Sequence, residues 1–329
     1  MTTLRRLVPG LLLPLLIAAV AYGAGRLVPV LGGPVVAILL GLAVGQVAGQ
    51  RESWKPGVTF ASKKVLQASI VLLGATMSLA QIASTGGRTL PVLVGTLVVA
   101  LVGGALLARL LGVEKVTGKL VTYGTGICGA SAIATMSAVI GAPATSIAFS
   151  VTVIVVYNVL GAVSFPIVGH LLGLSQEAFG LWAGTAVNDT SSVVAAATVY
   201  GSTAVTVAVV VKLTRTLAII PLALYESWLT HRHAEPGTRP AWWKLVPTFL
   251  VLFLVAAAAR SLGLVPATWA PAIKEVAYIG TTIAMAAVGM SSSLGAIRRA
   301  GWRPVALGGL LWLLVASSSL GLQWVSGTL

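Results

Sequence analysis

Eleven apolar stretches, most of them close to twenty residues long, follow one another along this chain with only short polar connectors. No other feature limits the fold so tightly. Lipid offers no partner to a backbone N–H or C=O, so a run of this kind must close its hydrogen bonds on itself, and a helix of roughly 20 residues does so across a bilayer. The stretches fall at approximately 7–25, 28–48, 65–83, 90–111, 120–141, 144–172, 179–200, 202–228, 245–262, 271–293 and 304–326. Charged residues make up 9% of the chain, where a soluble domain carries about 25%. The expected fold class is therefore an all-α polytopic membrane protein of about eleven transmembrane helices, built as a single integral membrane domain over residues 1–329.

The first stretch, RRLVPGLLLPLLIAAVAYGAG, also has the order of a secretory signal: basic residues, an apolar core, then small residues. It is long for a signal core, and no exportable domain follows it, so it is read as a first helix; cleavage would leave ten. The formal net charge of +14 does not indicate a nucleic-acid partner, because the basic residues are spread over connectors and are not gathered with aromatics on one surface. They serve topology. Short cytoplasmic connectors carry the Lys/Arg excess, which puts the N-terminus inside with Arg5, Arg6, the 51–64 connector (Arg51, Lys55, Lys63, Lys64), Arg109, Lys115 and Lys119. The 230–244 connector (Arg232, Arg239, Lys244) and Arg298, Arg299 and Arg303 join them, leaving Arg26, Arg88, Arg260 and Lys274 outside with the C-terminus. Trp54, Trp182, Trp228, Trp242, Trp243, Trp269, Trp302 and Trp324 fall mostly near stretch ends, where an aromatic belt belongs.

The chain aligns with itself twice. GTGICGASAIA at 124–134 matches GTAVNDTSSVV at 184–194, and LGATMSLAQIASTGGR at 73–88 matches VGMSSSLGAIRRAGWR at 288–303 through Gly74/Gly289, Leu79/Leu294, Ile82/Ile297, Gly86/Gly301 and Arg88/Arg303. The helices of the second pair run in opposite directions in the expected topology, as an inverted duplication requires. Shared Gly/Ala/Ser/Thr composition is the alternative explanation of either match.

The chemistry concentrates in two places. From Leu120 to Gln176 there is no Asp, Glu, Lys or Arg, and the segment opens with Gly124, Gly126 and Gly129 among Thr122, Thr125, Ser131 and Thr135. Such a helix is weakly held and is expected to be broken or re-entrant, its freed N–H groups open to an anion and its carbonyls to a cation; close packing through small residues is the alternative. The seventh stretch carries WAGTAVNDTSSVVAAA, with Asn188 and Asp189, the chain's only aspartate, near mid-depth beside Thr185, Thr190, Ser191 and Ser192. A charge at that depth must face protein or water. The next stretch brings Lys212 and Arg215 onto one helix face. One carboxylate would meet two cations and leave a formal surplus of +1 that favours an anion; a structural ion pair between two helices is the bland alternative.

GTGICGASAIATMSAVIGAP, LWAGTAVNDTSSVVAAA and VVKLTRTLAIIPLAL together resemble the YeiH-type family of bacterial inner-membrane proteins, whose members are usually named sulfate exporters. The likeness runs over nearly the whole chain. It implies a multi-pass inner-membrane protein with an inverted-repeat fold and broken helices, related to cation/proton antiporters and bile-acid/sodium symporters. Family members often carry His before the Asp; this chain has Asn188, so no proton-linked role of that histidine carries over.

The expected function is secondary transport of a small anion of the sulfate or sulfonate class, and export is the direction that the family name implies. The anion would be held by Lys212, Arg215, Thr125, Gly126, Cys128, Gly129, Ser131, Thr185, Thr190 and Ser191, while Asn188 and Asp189 would handle a coupling proton or sodium ion. A cation antiporter built on Asn188–Asp189 is the alternative within transport. An intramembrane enzyme would need a carboxylate pair or a nucleophile with a base, and neither emerges from Glu52, Glu114, Glu177, Glu226, Glu235 and Glu275, which all lie in connectors or near stretch ends. A passive channel is a further class. Cys128 is the lone cysteine, and His170, His231 and His233 lack companion ligands, so neither metal nor other cofactor is expected. No GxxxxGK[ST] sequence indicates ATP. The lipid bilayer is the expected partner, and a homodimer stays open.

Overall fold

The computed structural model describes residues 2–27, 32–49, 51–230, 247–292, 295 and 300–329, and within them every expected stretch contains helix, the third being interrupted at residues 75–78. The helices are α1 (Thr2–Leu27), α2 (Gly32–Ala48), α3 (Lys55–Phe60), α4 (Leu66–Gly74), α5 (Leu79–Leu110), α6 (Lys115–Gly126), α7 (Ala130–Ile140) and α8 (Ala144–Leu171). There follow α9 (Gln176–Ala186), α10 (Thr190–Tyr200), α11 (Ser202–Leu217), α12 (Ile219–Thr230), α13 (Thr248–Ser261), α14 (Ala270–Ser291) and α15 (Trp302–Ser326). A π-helical turn over Ala61–Val65 joins α3 to α4 without a break. Six helical segments are long and apolar enough to cross a membrane, one of them α11 and α12 taken together. This is a multi-pass membrane protein.

Close contacts fix the direction of each helix. The end of the bundle that holds the start of α1 also holds the start of α3, since Gly10 lies against Trp54 and Gly57; we call it the proximal end. Helix α2 returns to it beside α1 and runs parallel to α14, with Gly33, Gly41 and Gly45 against Tyr278, Ala286 and Met290. A Cβ added at Gly41 would lie 2.2 Å from the Ala286 carbonyl oxygen, so these two backbones touch only because a side chain is missing. Helix α15 packs antiparallel to α5, from Arg303 at Gly112 to Leu322 at Gly95.

The two broken stretches do not cross. Helices α6 and α8 run parallel: Ser146 donates to Glu114 at 3.2 Å, Ser150 to the Thr117 carbonyl at 3.4 Å, and Gly124 faces Ile154. Since α8 starts beside the start of α6, α7 has come back to the proximal end. At the distal end the same holds for α9 and α11, with Gly180 at Ala204 and Gly184 at Ala208. Thr203 N donates to Gln176 at 3.0 Å, and Tyr200 donates from its hydroxyl to the Leu174 carbonyl at 2.6 Å while stacking on Phe179 at 3.7 Å. Each arm has 11 or 12 residues, roughly 16–18 Å of helix and so about half the bilayer core. Segments 120–141 and 179–200 are therefore re-entrant hairpins entering from opposite ends, and nine crossings remain among the described residues.

Several expectations change with this. Helix α8 crosses in the sense opposite to the expected one, which moves His170 from the cytoplasmic to the distal end, where its ring stacks on Tyr200 at 4.3 Å. Helix α5 is one run of 32 residues, so Arg88 lies within a helix, not in a connector, and Lys55, Lys63 and Lys64 are helical rather than loop residues. Trp182 is no interface anchor: it is 4% exposed and donates to the Ala316 carbonyl at 2.9 Å. Trp228, Trp269, Trp302 and Trp324 are exposed near helix ends as expected. His231, Arg232, His233, Glu235, Arg239, Trp242, Trp243, Lys244, Leu294, Ile297, Arg298 and Arg299 lie outside the described residues, as do the side chains of Arg5, Arg6 and Arg26.

The bases of the hairpins are capped by side chains. Glu114 accepts from Val116 N and Thr117 N at 2.8 Å each, and Ser175 accepts from Ala178 N at 3.1 Å. Burial pushes the Glu114 pKa up, but the bonds from Thr117, Val116 and Ser146 outweigh it and hold the carboxyl below its ordinary value. This cap is in force above the unfolded-state pKa and is lost as pH falls through the lower folded one.

Single cysteines in a Cys128→Ser background test the topology. A cysteine replacing exposed Thr145, at the start of α8, will be labelled by an impermeant maleimide from the same side as one replacing Arg109. A cysteine replacing exposed Leu172 will be labelled from the opposite side. Labelling of position 145 from the side opposite to 109 would restore a crossing for 120–141.

Candidate functional site

The two hairpin tips are equivalent in the internal alignment. Helix α6 stops at Gly126 and α7 resumes at Ala130, while α9 stops at Ala186 and α10 resumes at Thr190, sixty residues on in each case. The turn residues are Ile127, Cys128 and Gly129 in one hairpin and Val187, Asn188 and Asp189 in the other. Gly129 has φ +71°, a conformation that β-carbon-bearing residues rarely adopt, and a Cβ there would lie 3.3 Å from that of Asp189. The tips are thus in contact, and the N-termini of α7 and α10 both point into the place where they meet. Two partial positive charges converge there.

Helix α11 supplies the cations. Its parallel register with α9 carries Lys212 and Arg215 past the tip of the second hairpin, and both are 0% exposed. Lys212 Nζ donates to the Val187 carbonyl at 2.8 Å, holding one of the acceptors freed at the C-terminus of α9. Arg215 Nε, Nη1 and Nη2 have no partner among the described residues. Asp189 forms no ion pair with either cation, contrary to expectation. Instead its carboxylate accepts from Ser191 Oγ, and its backbone N donates to Asn158 Oδ1 at 3.0 Å. The reason is geometric: Asp189 immediately precedes α10 and its carboxylate turns toward Ser191 on that helix, while Lys212 meets the backbone two residues earlier.

The other expected residues divide. Thr125 Oγ1, both polar atoms of Asn188, and Ser192 Oγ are buried without a partner among the described residues, as are the guanidinium nitrogens. Ser131 Oγ donates at 2.9 Å to the carbonyl of Cys128 and lies equally close to its thiol. Gly126 closes α6 against Ala100, and Thr190 opens α10. Thr185 is committed elsewhere: it donates to the Leu181 carbonyl at 2.8 Å and shares a 2.7 Å bond with Ser319 Oγ, tying α9 to α15. It belongs to packing, not to the tips. Among the described residues no group of three His, Cys, Asp or Glu could hold a metal ion.

A cavity of about 310 Å³ leads toward the tips from the distal end, between α4, α10, α11 and α14. Thr198, Ser202, Thr206 and Lys274 give it polar walls, and Val194 and Val209 each stand one helical turn from Ser191 and Lys212. On the proximal side Ile219 and Ala223 of α12 pack with Ile127, Cys128, Ile133 and Met136 of the first hairpin.

Two groups escape sequence reasoning. Asn158, 5% exposed on α8, was visible only as the single amide in a 28-residue apolar helix. Glu226, expected near a stretch end, is 2% exposed and accepts from Lys119 at 2.8 Å and from Tyr123 at 2.5 Å; nothing in the spacing of residues 119, 123 and 226 announces that trio. Asn158→Ala removes the acceptor of the Asp189 N–H and will lower unfolding stability in detergent by about 1–3 kcal/mol. Amide exchange across 187–190 will accelerate in that variant, and unchanged exchange there would mean that Asn158 does not hold the tip.

Residues 9–308 match the model of the family described as conserved hypothetical protein 698. The chain is similar to a UPF0324 membrane protein of Streptococcus pyogenes serotype M18, at 39% identity over 98% of each sequence. UPF0324 membrane proteins of Streptococcus pneumoniae serotype 4 (37% identical, 97% of each sequence) and Streptococcus agalactiae serotype V (35%, 98% of each) are similar over the same extent.

Proposed function

As the chain belongs to the UPF0324 membrane-protein family, the same family as the YeiH-type resemblance, we propose that it is a secondary transporter of a small oxyanion, of the sulfate or sulfonate class. The observation that carries this reading is Arg215. Its guanidinium is 0% exposed and has no acceptor among the described residues, although an unpaired buried charge is among the costliest features that a fold can hold. A guanidinium presents its donors in a planar fork that matches an oxyanion. The N-termini of α7 and α10 add their N–H groups, and Thr125, Ser131, Thr190 and Ser191, with the backbone of Gly126, Cys128 and Gly129, complete the cradle.

In this mechanism Lys212 secures the second tip through Val187 and adds positive charge. The anion comes and goes through the distal cavity, and the first hairpin with α12 closes the proximal side. Asn188 and Asp189 carry the coupling proton or sodium ion. The positions of Arg51, Arg109, Lys115 and Arg303 support a cytoplasmic proximal end, and the family resemblance supports a bacterial inner-membrane location. Hydrolytic or redox chemistry has no part in the cycle, and the protein is not an enzyme.

Labelled sulfate flux into proteoliposomes tests the assignment. Arg215→Gln will lower flux at least about tenfold, the worth of a charged hydrogen-bond partner, while its melting temperature holds or rises because an unpaired buried charge has been removed. Normal flux in that variant would remove Arg215 from the site.

A second reading has its own support in the lack of an ion pair at Asp189, whose carboxylate accepts from Ser191 beside Asn158. On that reading Asn188–Asp189 binds sodium in exchange for protons. Sodium-driven proton movement in anion-free vesicles, abolished by Asp189→Asn, would favour it; silence of a dye assay on sodium addition would dismiss it.

A further inference from the structure

Helices α5, α6 and α12 enclose a groove of about 530 Å³ on the outer face of the bundle, opening at its proximal end and closing at Leu101, which packs behind the first hairpin tip. Its walls are apolar, and Val102 and Leu106 are more than half exposed, at 55% and 53%. Its polar end is built differently. Lys119 and Glu226 pair at 2.8 Å with the Tyr123 hydroxyl on the same carboxylate, so this trio is satisfied and formally neutral. The groove's net charge therefore rests on Arg109, which is exposed and makes no hydrogen bond or ion pair among the described residues.

The depth of that charge follows from α12. Tyr225 and Trp228 stack at 6.3 Å and are 54% and 44% exposed, the placing of aromatic residues at the level of lipid headgroups. Tyr225 lines the groove with Arg109. From Arg109 the apolar wall runs along α5 as far as Leu101, about 12 Å toward the bilayer centre at 1.5 Å per residue.

We propose that this groove binds one anionic phospholipid of the proximal leaflet, with its phosphate on the Arg109 guanidinium and an acyl chain against Val102, Leu106 and Leu222. The guanidinium can form paired hydrogen bonds with a phosphate, and its uncompensated charge favours a headgroup of net negative charge over one whose own ammonium cancels its phosphate. The apolar wall selects a lipid over a free phosphate. This site is independent of the transported anion and would stand if that proposal failed.

Binding of phosphatidylglycerol to the purified protein, counted by native mass spectrometry and followed by melting temperature, tests it. Phosphatidylglycerol will bind with one tight site and raise the melting temperature, whereas phosphatidylcholine and inorganic phosphate will not. Arg109→Gln will weaken that site about fivefold, the usual worth of one basic residue toward an anionic lipid, with its lipid-free melting temperature unchanged. Arg88→Gln, toward the other end of the same helix, will bind as the parent does. Equal binding of phosphatidylcholine, undiminished binding by Arg109→Gln, or the full shift with inorganic phosphate alone would each overturn the proposal.

Discussion

A helix that stops inside a bilayer leaves backbone groups with nothing to bond, and this chain stops two of them at the same depth. Everything near the centre answers that constraint. Lys212 takes up the carbonyl of Val187, Asn158 takes up the N–H of Asp189, and Gly129 lets the first tip turn tightly enough to sit against the second. The small residues on α9 serve the same end from further away. Gly180 and Gly184 let α11 approach closely enough for a lysine to reach a carbonyl one turn beyond the Gly184 contact.

The price of this arrangement is a centre with more buried polar atoms than protein partners. Thr125, Asn188, Ser192 and Arg215 all hold atoms that find no partner among the described residues. Other buried polar groups are met: Glu226 by both Lys119 and Tyr123, and Thr185 by Ser319. Trp312 Nε1 and Gln323 Oε1 on α15 are also buried without a partner among the described residues, but the largest group of such atoms gathers where the two hairpins meet, and a ligand there can use them.

The helical class, most of the helices and the break in 120–141 were legible because they rest on local signals: runs of apolar residues, and glycines interrupting them. The break in 179–200 was not expected, although the self-alignment pairs its turn residues, Val187–Asp189, with Ile127–Gly129. Whether each broken stretch crossed or returned was not legible. The rule that orients helices counts basic residues, and the connectors at 142–143 and 172–175 contain none. Two misread crossings then cancelled, so the later helices kept their expected sense while α8 was reversed. Asp189 was expected to meet Lys212 because the two residues lie at one depth; depth does not give side-chain direction, and the backbone carbonyl won the contact. Asn158 and Glu226 depend on contacts across 31 and 107 residues, which no local pattern encodes.

The formal charge at the tips has an electrical consequence. Lys212 and Arg215 against Asp189 leave +1 at the site without ligand, and a divalent oxyanion turns the sum to −1. If the charged site itself moves through part of the field, the membrane potential acts on the two forms with opposite sign, each elementary charge being worth about 2.3 kcal/mol per 100 mV across the full membrane. An interior-negative cell would then drive the loaded form outward and draw the unloaded form back. One voltage would power both halves of an export cycle, and neither half would need to climb against it.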